Sequence, residues 1–123
     1  MSVLFFFLTF VAEKMTHKMN KTFFDAIQRR SKEVMPKGTR VVLFGSQARG
    51  EANSESDWDV LILMDKPQIS DVDFDEYAYP LVELGWKNNE QVSPVMYTFS
   101  DWQKRCPTSF FQNVETEGIE LCH

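Results

Sequence analysis

Two short apolar runs, divided by a glycine-bounded turn, govern what this chain can fold into. Arg40–Phe44 (RVVLF) is β-branched and apolar and stops at Gly45-Ser46; Trp58–Met64 (WDVLILM) resumes after a polar gap. Apolar runs this short, bounded by turn residues, read as buried strands. The second is apolar on both faces beyond Asp59, which predicts a central place in a sheet. Gln47–Gly50 suits the first turn of a short helix, and residues 52–56 a polar turn. Upstream, Phe23, Ile27 and Val34, with Phe24 and Ala26 beside them, predict a helix to about Met35. It opens on a capping-box-like Thr22-Phe23-Phe24-Asp25 and is stopped by Pro36-Lys37-Gly38. Downstream, residues 70–84 carry Phe74, Tyr77, Leu81 and Leu84 at helical spacing. Pro80 must kink or split that helix, and Gly85 is placed to cap it. Residues 91–98 read as a third strand, with Pro94 marking an edge or a bulge. Ser100-Asp101-Trp102-Gln103 predicts a capping box opening a short helix, and Thr108 caps a last helix ended by Glu117-Gly118. The order predicts an α/β (α+β) layered domain, a small mixed β-sheet flanked by helices.

A chain of 123 residues with eleven Phe suits one packed domain and argues against disorder. The expected division is residues 19–123 as a single domain and residues 1–18 as an N-terminal extension. Within the extension, residues 3–12 (VLFFFLTFVA) form an apolar run. The run is too short to span a bilayer and lacks the basic flank of a signal peptide. One reading makes residues 1–18 non-native, the product of a start codon upstream of Met19. The other makes the run a short strand or helix that packs on the domain or a partner. A net charge of -5 argues against direct nucleic-acid binding over a broad basic surface. The basic residues Lys14, Lys18, Lys21, Arg29, Arg30 and Lys32 fit a solvated helix face. Cys106 and Cys122 belong to no CxxC or Cys/His pattern, which argues against zinc and a disulfide framework. Free thiols fit a reducing cytoplasm, the expected location, with no membrane association.

The turn and the second strand carry the chemistry. Gly45 permits a sharp turn, and Ser46 offers a backbone N–H and a hydroxyl to a phosphate oxygen. A helix starting at Gln47 adds the partial positive charge of its amino end, and Arg49 adds a fork of donors. Asp57 and Asp59, spaced i, i+2, project to one face of a strand with Trp58 on the other. Two such carboxylates invite Mg²⁺ shared with nucleotide phosphates, including in two-metal sites. A P-loop is excluded, because Glu51-Ala52 stands where Lys and Ser/Thr are required after G-x-x-x-x-G. No G-x-G-x-x-G supports a dinucleotide fold. Each piece alone has an ordinary reading: a turn, a solvated pair of acids, an Arg49 paired with Glu51 or Glu55. Their conjunction points to phosphoryl or nucleotidyl transfer.

GSQARG…SDWDVLI resembles the signature of the polymerase-beta-type nucleotidyltransferases, G-S-x-x-R-G…S-D-x-D-x-x-V. The chain's size is similar to that of the minimal members, often encoded beside a HEPN-domain protein. The resemblance covers roughly residues 20–118 and implies the nucleotidyltransferase fold, with a nucleoside triphosphate such as ATP as substrate. Gly45, Ser46 and Arg49 would bind the nucleotide, and Asp57 and Asp59 would act as catalytic and metal-binding residues. Paired members of the family are similar to antitoxins, some of which transfer AMP to a tyrosine of the HEPN toxin. The function implied is Mg²⁺-dependent transfer of a nucleoside monophosphate to a hydroxyl of a protein partner or small molecule. The alternative is a weak or inactive nucleotide-binding antitoxin that acts by binding a HEPN-type partner. An antibiotic-modifying transferase would need a second domain, for which this chain has no room.

One departure from the signature bears on turnover. The family usually places a third carboxylate on the later strand, and here the best-fitting position is Ser93. Glu90, three residues away, falls on the opposite face of a regular strand, unless a bulge at Pro94 re-aims its neighbours. Trp86, Trp102, Tyr77, Tyr79 and Phe110 are expected in the core or an interface. Asp71, Asp73, Asp75 and Glu76 are expected to serve a helix start and solubility.

Overall fold

The computed structural model describes residues 19–123, so the apolar run at residues 3–12 lies outside the described residues. Four strands, β1 (Arg40–Phe44), β2 (Trp58–Met64), β3 (Val92–Thr98) and β4 (Ile119–Cys122), form one mixed sheet in the order β3-β2-β1-β4. β1 runs antiparallel to both β2 and β4, whereas β2 and β3 are parallel. Helix α1 (Lys21–Val34) precedes β1, and the short α2 (Gly45–Arg49) joins β1 to the loop before β2. The β2–β3 crossover carries a helical segment: one turn of α3 (Asp71–Asp73), a π-helical stretch (Phe74–Ala78) and α4 (Tyr79–Lys87). Helices α5 (Phe99–Gln103) and α6 (Ser109–Glu117) lead into β4.

Alternation along the strands divides the core between two faces. Val41, Leu43, Trp58, Val60 and Ile62 pack with Phe23 and Ile27 of α1 and Leu81 of α4. Val42, Leu61 and Leu63 face the other way, against Trp102 of α5 and Val114 of α6. The run Val60–Leu63 is fully buried because β2 is covered on both faces, as its unbroken apolarity predicts. Each such side chain contributes about 1.5–3 kcal/mol by leaving water. Arg40 binds β1 to its neighbours, with Nε 2.6 Å from Glu120 and Nη1 3.0 Å from Glu115.

Several expected boundaries move. The N-cap of α1 is Asn20, whose side chain accepts from the Phe23 N–H, and Thr22 lies inside the helix. Helix α5 is capped by Thr98, the last residue of β3, rather than by Ser100, so strand passes into helix without a loop. Gly85 does not cap α4; it is buried within it, because a Cβ there would collide with the Glu90 carbonyl and the Val92 side chain. The helix instead ends at Asn88. Pro80 is absorbed by the π-helical turn before it, where the Tyr79 N–H reaches back to the Phe74 carbonyl. No bulge occurs at Pro94, since β2 and β3 pair without a break from Trp58↔Val92 to Met64↔Thr98. Pro94 is tolerated because β3 is an edge strand. Among the described residues no helix is long and apolar enough to cross a membrane.

Candidate active site

The polar end of the sheet gathers residues from three neighbouring strands. β1 ends at Phe44, and the chain turns through Gly45 at φ +76° directly into α2. No side chain caps the first turn of α2, which leaves its opening N–H groups to other acceptors. Gly50 closes the helix as its C-cap, and the Glu51 N–H returns to the Ser46 carbonyl at 3.0 Å. The six-residue motif is thus one compact helical turn between two glycines.

Asp59 sits opposite Phe44 in the β1–β2 ladder and opposite Ser93 in the β2–β3 ladder. Its carboxylate lies against Gly45, where a Cβ would run into Oδ2. Gly45 therefore serves two needs at once: a backbone angle that side chains resist, and space in front of a carboxylate. Asp57, just before β2, is exposed and accepts a hydrogen bond from Ser93 Oγ at 2.9 Å. That bond places Asp57 on the face shared by Asp59 and Ser93. Trp58, between them, is buried on the opposite face with its ring edge-on to Phe23 at 4.8 Å. Burial pushes the Asp59 carboxyl above its ordinary range; the neighbouring charge of Asp57 adds to the rise and Arg49 opposes it.

Arg49 is held by two carboxylates, Glu51 at 3.0 Å and Glu117 at 3.5 Å. Glu117 is the last residue of α6, so the guanidinium bridges that helix to the turn. Phe44, Gly45, Arg49, Phe110, Asn113 and Glu117 surround a cavity of about 190 Å³ beside it.

Two contributions were not apparent in the sequence. Gln47 is buried, and its Nε2 donates to the Ser56 carbonyl at 3.3 Å, tying α2 to the residue preceding Asp57. Ser93 is the other, through its bond to Asp57. A polar residue at an inward position of a short helix is the signal that would have found Gln47. Glu90 is excluded from the site: its carboxylate accepts from Trp58 Nε1 at 2.9 Å and from Asn20 Nδ2 at 3.1 Å, on the α1 side of the sheet. We expect Glu90→Ala to cost about 1–3 kcal/mol by stranding the buried indole N–H, read as a lower urea midpoint.

Among the described residues no three or more His, Cys, Asp or Glu side chains cluster to hold a metal ion. The pair Asp57–Asp59 still fits Mg²⁺, which is typically bound by one or two carboxylates together with substrate phosphates and water. The space that a Cβ at Gly45 would fill lies in front of Asp59, and the mutual repulsion of the two acids is what a cation would relieve.

The model of one family, described as nucleotidyltransferase domain, matches residues 21–104. Two proteins of Methanocaldococcus jannaschii are similar to the chain. "Putative protein adenylyltransferase MJ0141" is 36% identical over 83 residues, covering 67% of this chain and 77% of the relative. "Putative protein adenylyltransferase MJ0604" is 34% identical over 82 residues, covering 67% and 76%. Among solved structures, a chain of the crystal structure described as a toxin-antitoxin with AMP-PNP shares the fold. Its TM-score is 0.55 at 22% identity, covering 80% of this chain and 72% of that one.

Proposed function

Since the chain belongs to the nucleotidyltransferase domain family and is a nucleotidyltransferase, we propose that it transfers AMP from ATP to a hydroxyl of a protein, with Mg²⁺ held by Asp57 and Asp59. The observation that carries this reading is the approach of Asp59 to Gly45, which sets one carboxylate of the acidic pair directly beside the open start of α2. The names of the archaeal relatives support a protein acceptor. The toxin-antitoxin neighbour supports an antitoxin role; the proposal adds a HEPN-type protein as the acceptor and the cytoplasm as the setting.

In this reading the N–H groups opening α2 and the Ser46 hydroxyl bind the outer phosphates, and Arg49 turns from Glu51 and Glu117 toward them. A bound Mg²⁺ would neutralise phosphate charge and the departing pyrophosphate. By holding that cation, Asp57 and Asp59 would direct the α-phosphorus toward the Ser93 side. The acceptor oxygen bonds to that phosphorus as the bond to the β-phosphate bridging oxygen breaks. Ser93 holds Asp57 in place but is no carboxylate base, so the acceptor's proton leaves to a group of the acceptor protein or to water. Incubation with α-labelled ATP, Mg²⁺ and the protein encoded beside this chain should label that protein; label on neither chain would refute transfer.

Ser93 also favours a second reading, a nucleotide-binding antitoxin that neutralises its partner by contact. Neutralisation that persists when both aspartates are changed to Asn would support it. The two readings part again at Ser93→Asp. If the chain is a slow transferase limited by the missing carboxylate, this change raises transfer by about tenfold. A rate measured with labelled ATP that does not rise counts against a base-limited transferase.

A further inference from the structure

A cavity of about 350 Å³ opens at the end of the sheet that carries the acidic pair, with Glu55, Ser56, Trp86, Asn89, Glu90 and Gln91 in its walls. Two of these walls run straight into the site. Ser56 precedes Asp57, and Gln91, whose carbonyl accepts from the Trp58 N–H at 2.8 Å, leads through Val92 to Ser93. The cavity thus lies at the end of β2 and β3 from which Asp57 and Ser93 project, around the strand ends on the α1 side where Glu90 bonds Trp58. Its acidic lining leaves it to the acceptor rather than to the phosphates. Trp86 is 58% exposed, with the Tyr79 ring edge-on at 6.1 Å. Trp58 and Trp102 each donate the indole N–H to a glutamate; Trp86 has no such bond among the described residues.

Charge decides what this cavity can hold. Neither Glu55 nor Glu90 has a cationic partner among the described residues. The two groups that bond Glu90, an indole and an amide, are neutral donors and leave its charge uncompensated. An apolar occupant would strip water from two carboxylates and offer nothing in exchange. A phosphate or an acidic side chain would be repelled. A guanidinium or ammonium group pairs with the carboxylates and lies against the indole face, the best of the aromatic surfaces for a cation.

We propose that this cavity is the acceptor-recognition subsite, and that it takes an arginine or lysine side chain lying close in sequence to the hydroxyl that receives the nucleotide. The inference rests on the protein acceptor proposed above, and its binding step can be followed without turnover. The probes are short acetylated peptides bearing one tyrosine beside an arginine, an alanine or a glutamate. Their binding to the full chain is measured by calorimetry, with Mg²⁺·AMP-PNP binding to the wild type measured alongside. The arginine peptide should bind about tenfold tighter than the alanine peptide, and the glutamate peptide more weakly than either. Trp86→Ala and Glu55→Gln, both at exposed positions and expected to keep the wild-type melting temperature, should each erase the preference for arginine. Glu90 is left intact because it also holds Trp58.

Equal binding of the three peptides, no binding of any, or an arginine preference that survives Trp86→Ala would overturn the proposal. If the arginine preference depends on Trp86 while Mg²⁺·AMP-PNP fails to bind, the subsite stands and the nucleotide-transfer reading falls. If AMP-PNP binds and no peptide is discriminated, the reverse holds.

Discussion

Asp57→Asn and Asp59→Asn should each lower AMP transfer by about a thousandfold, and the double change should abolish it. Each substitution keeps the shape of the side chain and removes a charge. The effect then falls on cation binding and phosphate alignment, where about 4 kcal/mol of transition-state stabilisation corresponds to that factor. Stability should move differently. Asp59 is half-buried, with its carboxyl pushed above the ordinary range by burial and by Asp57. A raised carboxyl favours the protonated folded state: its contribution to stability is fully present below the unfolded value and is lost as pH rises through the folded one. In the absence of metal, Asp59→Asn should therefore melt higher than the wild type at neutral pH, with the gap closing in acid. Melting curves across that range check the sign, and Mg²⁺ with AMP-PNP should reverse the order at neutral pH. Full AMP transfer in the double variant would remove these residues from the chemistry.

Gly45→Ala should damage both the fold and the site. At φ +76° a side chain costs about 1–2 kcal/mol in backbone energy. The added methyl group also meets Asp59 Oδ2 and must displace it. Nucleotide binding should fall by at least about tenfold, since the turn and the carboxylate shift together. Calorimetry with AMP-PNP and Mg²⁺ reads the second effect, and a urea midpoint reads the first. Gly50→Ala provides the comparison. It has a similar backbone angle but nothing within contact distance of the added Cβ, so it should lose stability while retaining far more nucleotide affinity.

The two motif strands could be read from the sequence because their patterns are local: RVVLF and WDVLILM are each apolar, short and bounded by turn residues. What escaped was set by contacts between distant residues. β4 has only four residues of mixed polarity, and it becomes a strand by pairing with β1. Thr22 and Asn20 are both credible caps; Asn20 also meets Glu90, 70 residues away, and caps the helix from that position. Gly85 follows a helical stripe as a cap would, yet its lack of a side chain lets the Glu90 backbone close over the helix. In the site, the i, i+2 spacing predicts Asp57 and Asp59 on one face, but Asp57 precedes β2 and is placed there by its bond from Ser93. The bond from Ser93 to Asp57 crosses 36 residues of sequence, and only the unbroken register of β2 and β3 brings it about.

Arg49 divides its charge between Glu51, its neighbour in the turn, and Glu117, where α6 gives way to Gly118 and β4. A phosphate that claims the guanidinium would leave Glu117 without its cation and loosen the end of α6 from which β4 starts. Occupancy of the turn would then register on the far flank of the sheet, as faster amide exchange along Ile119–Cys122, so that the strand opposite the acceptor side could act as a gauge of whether nucleotide is loaded.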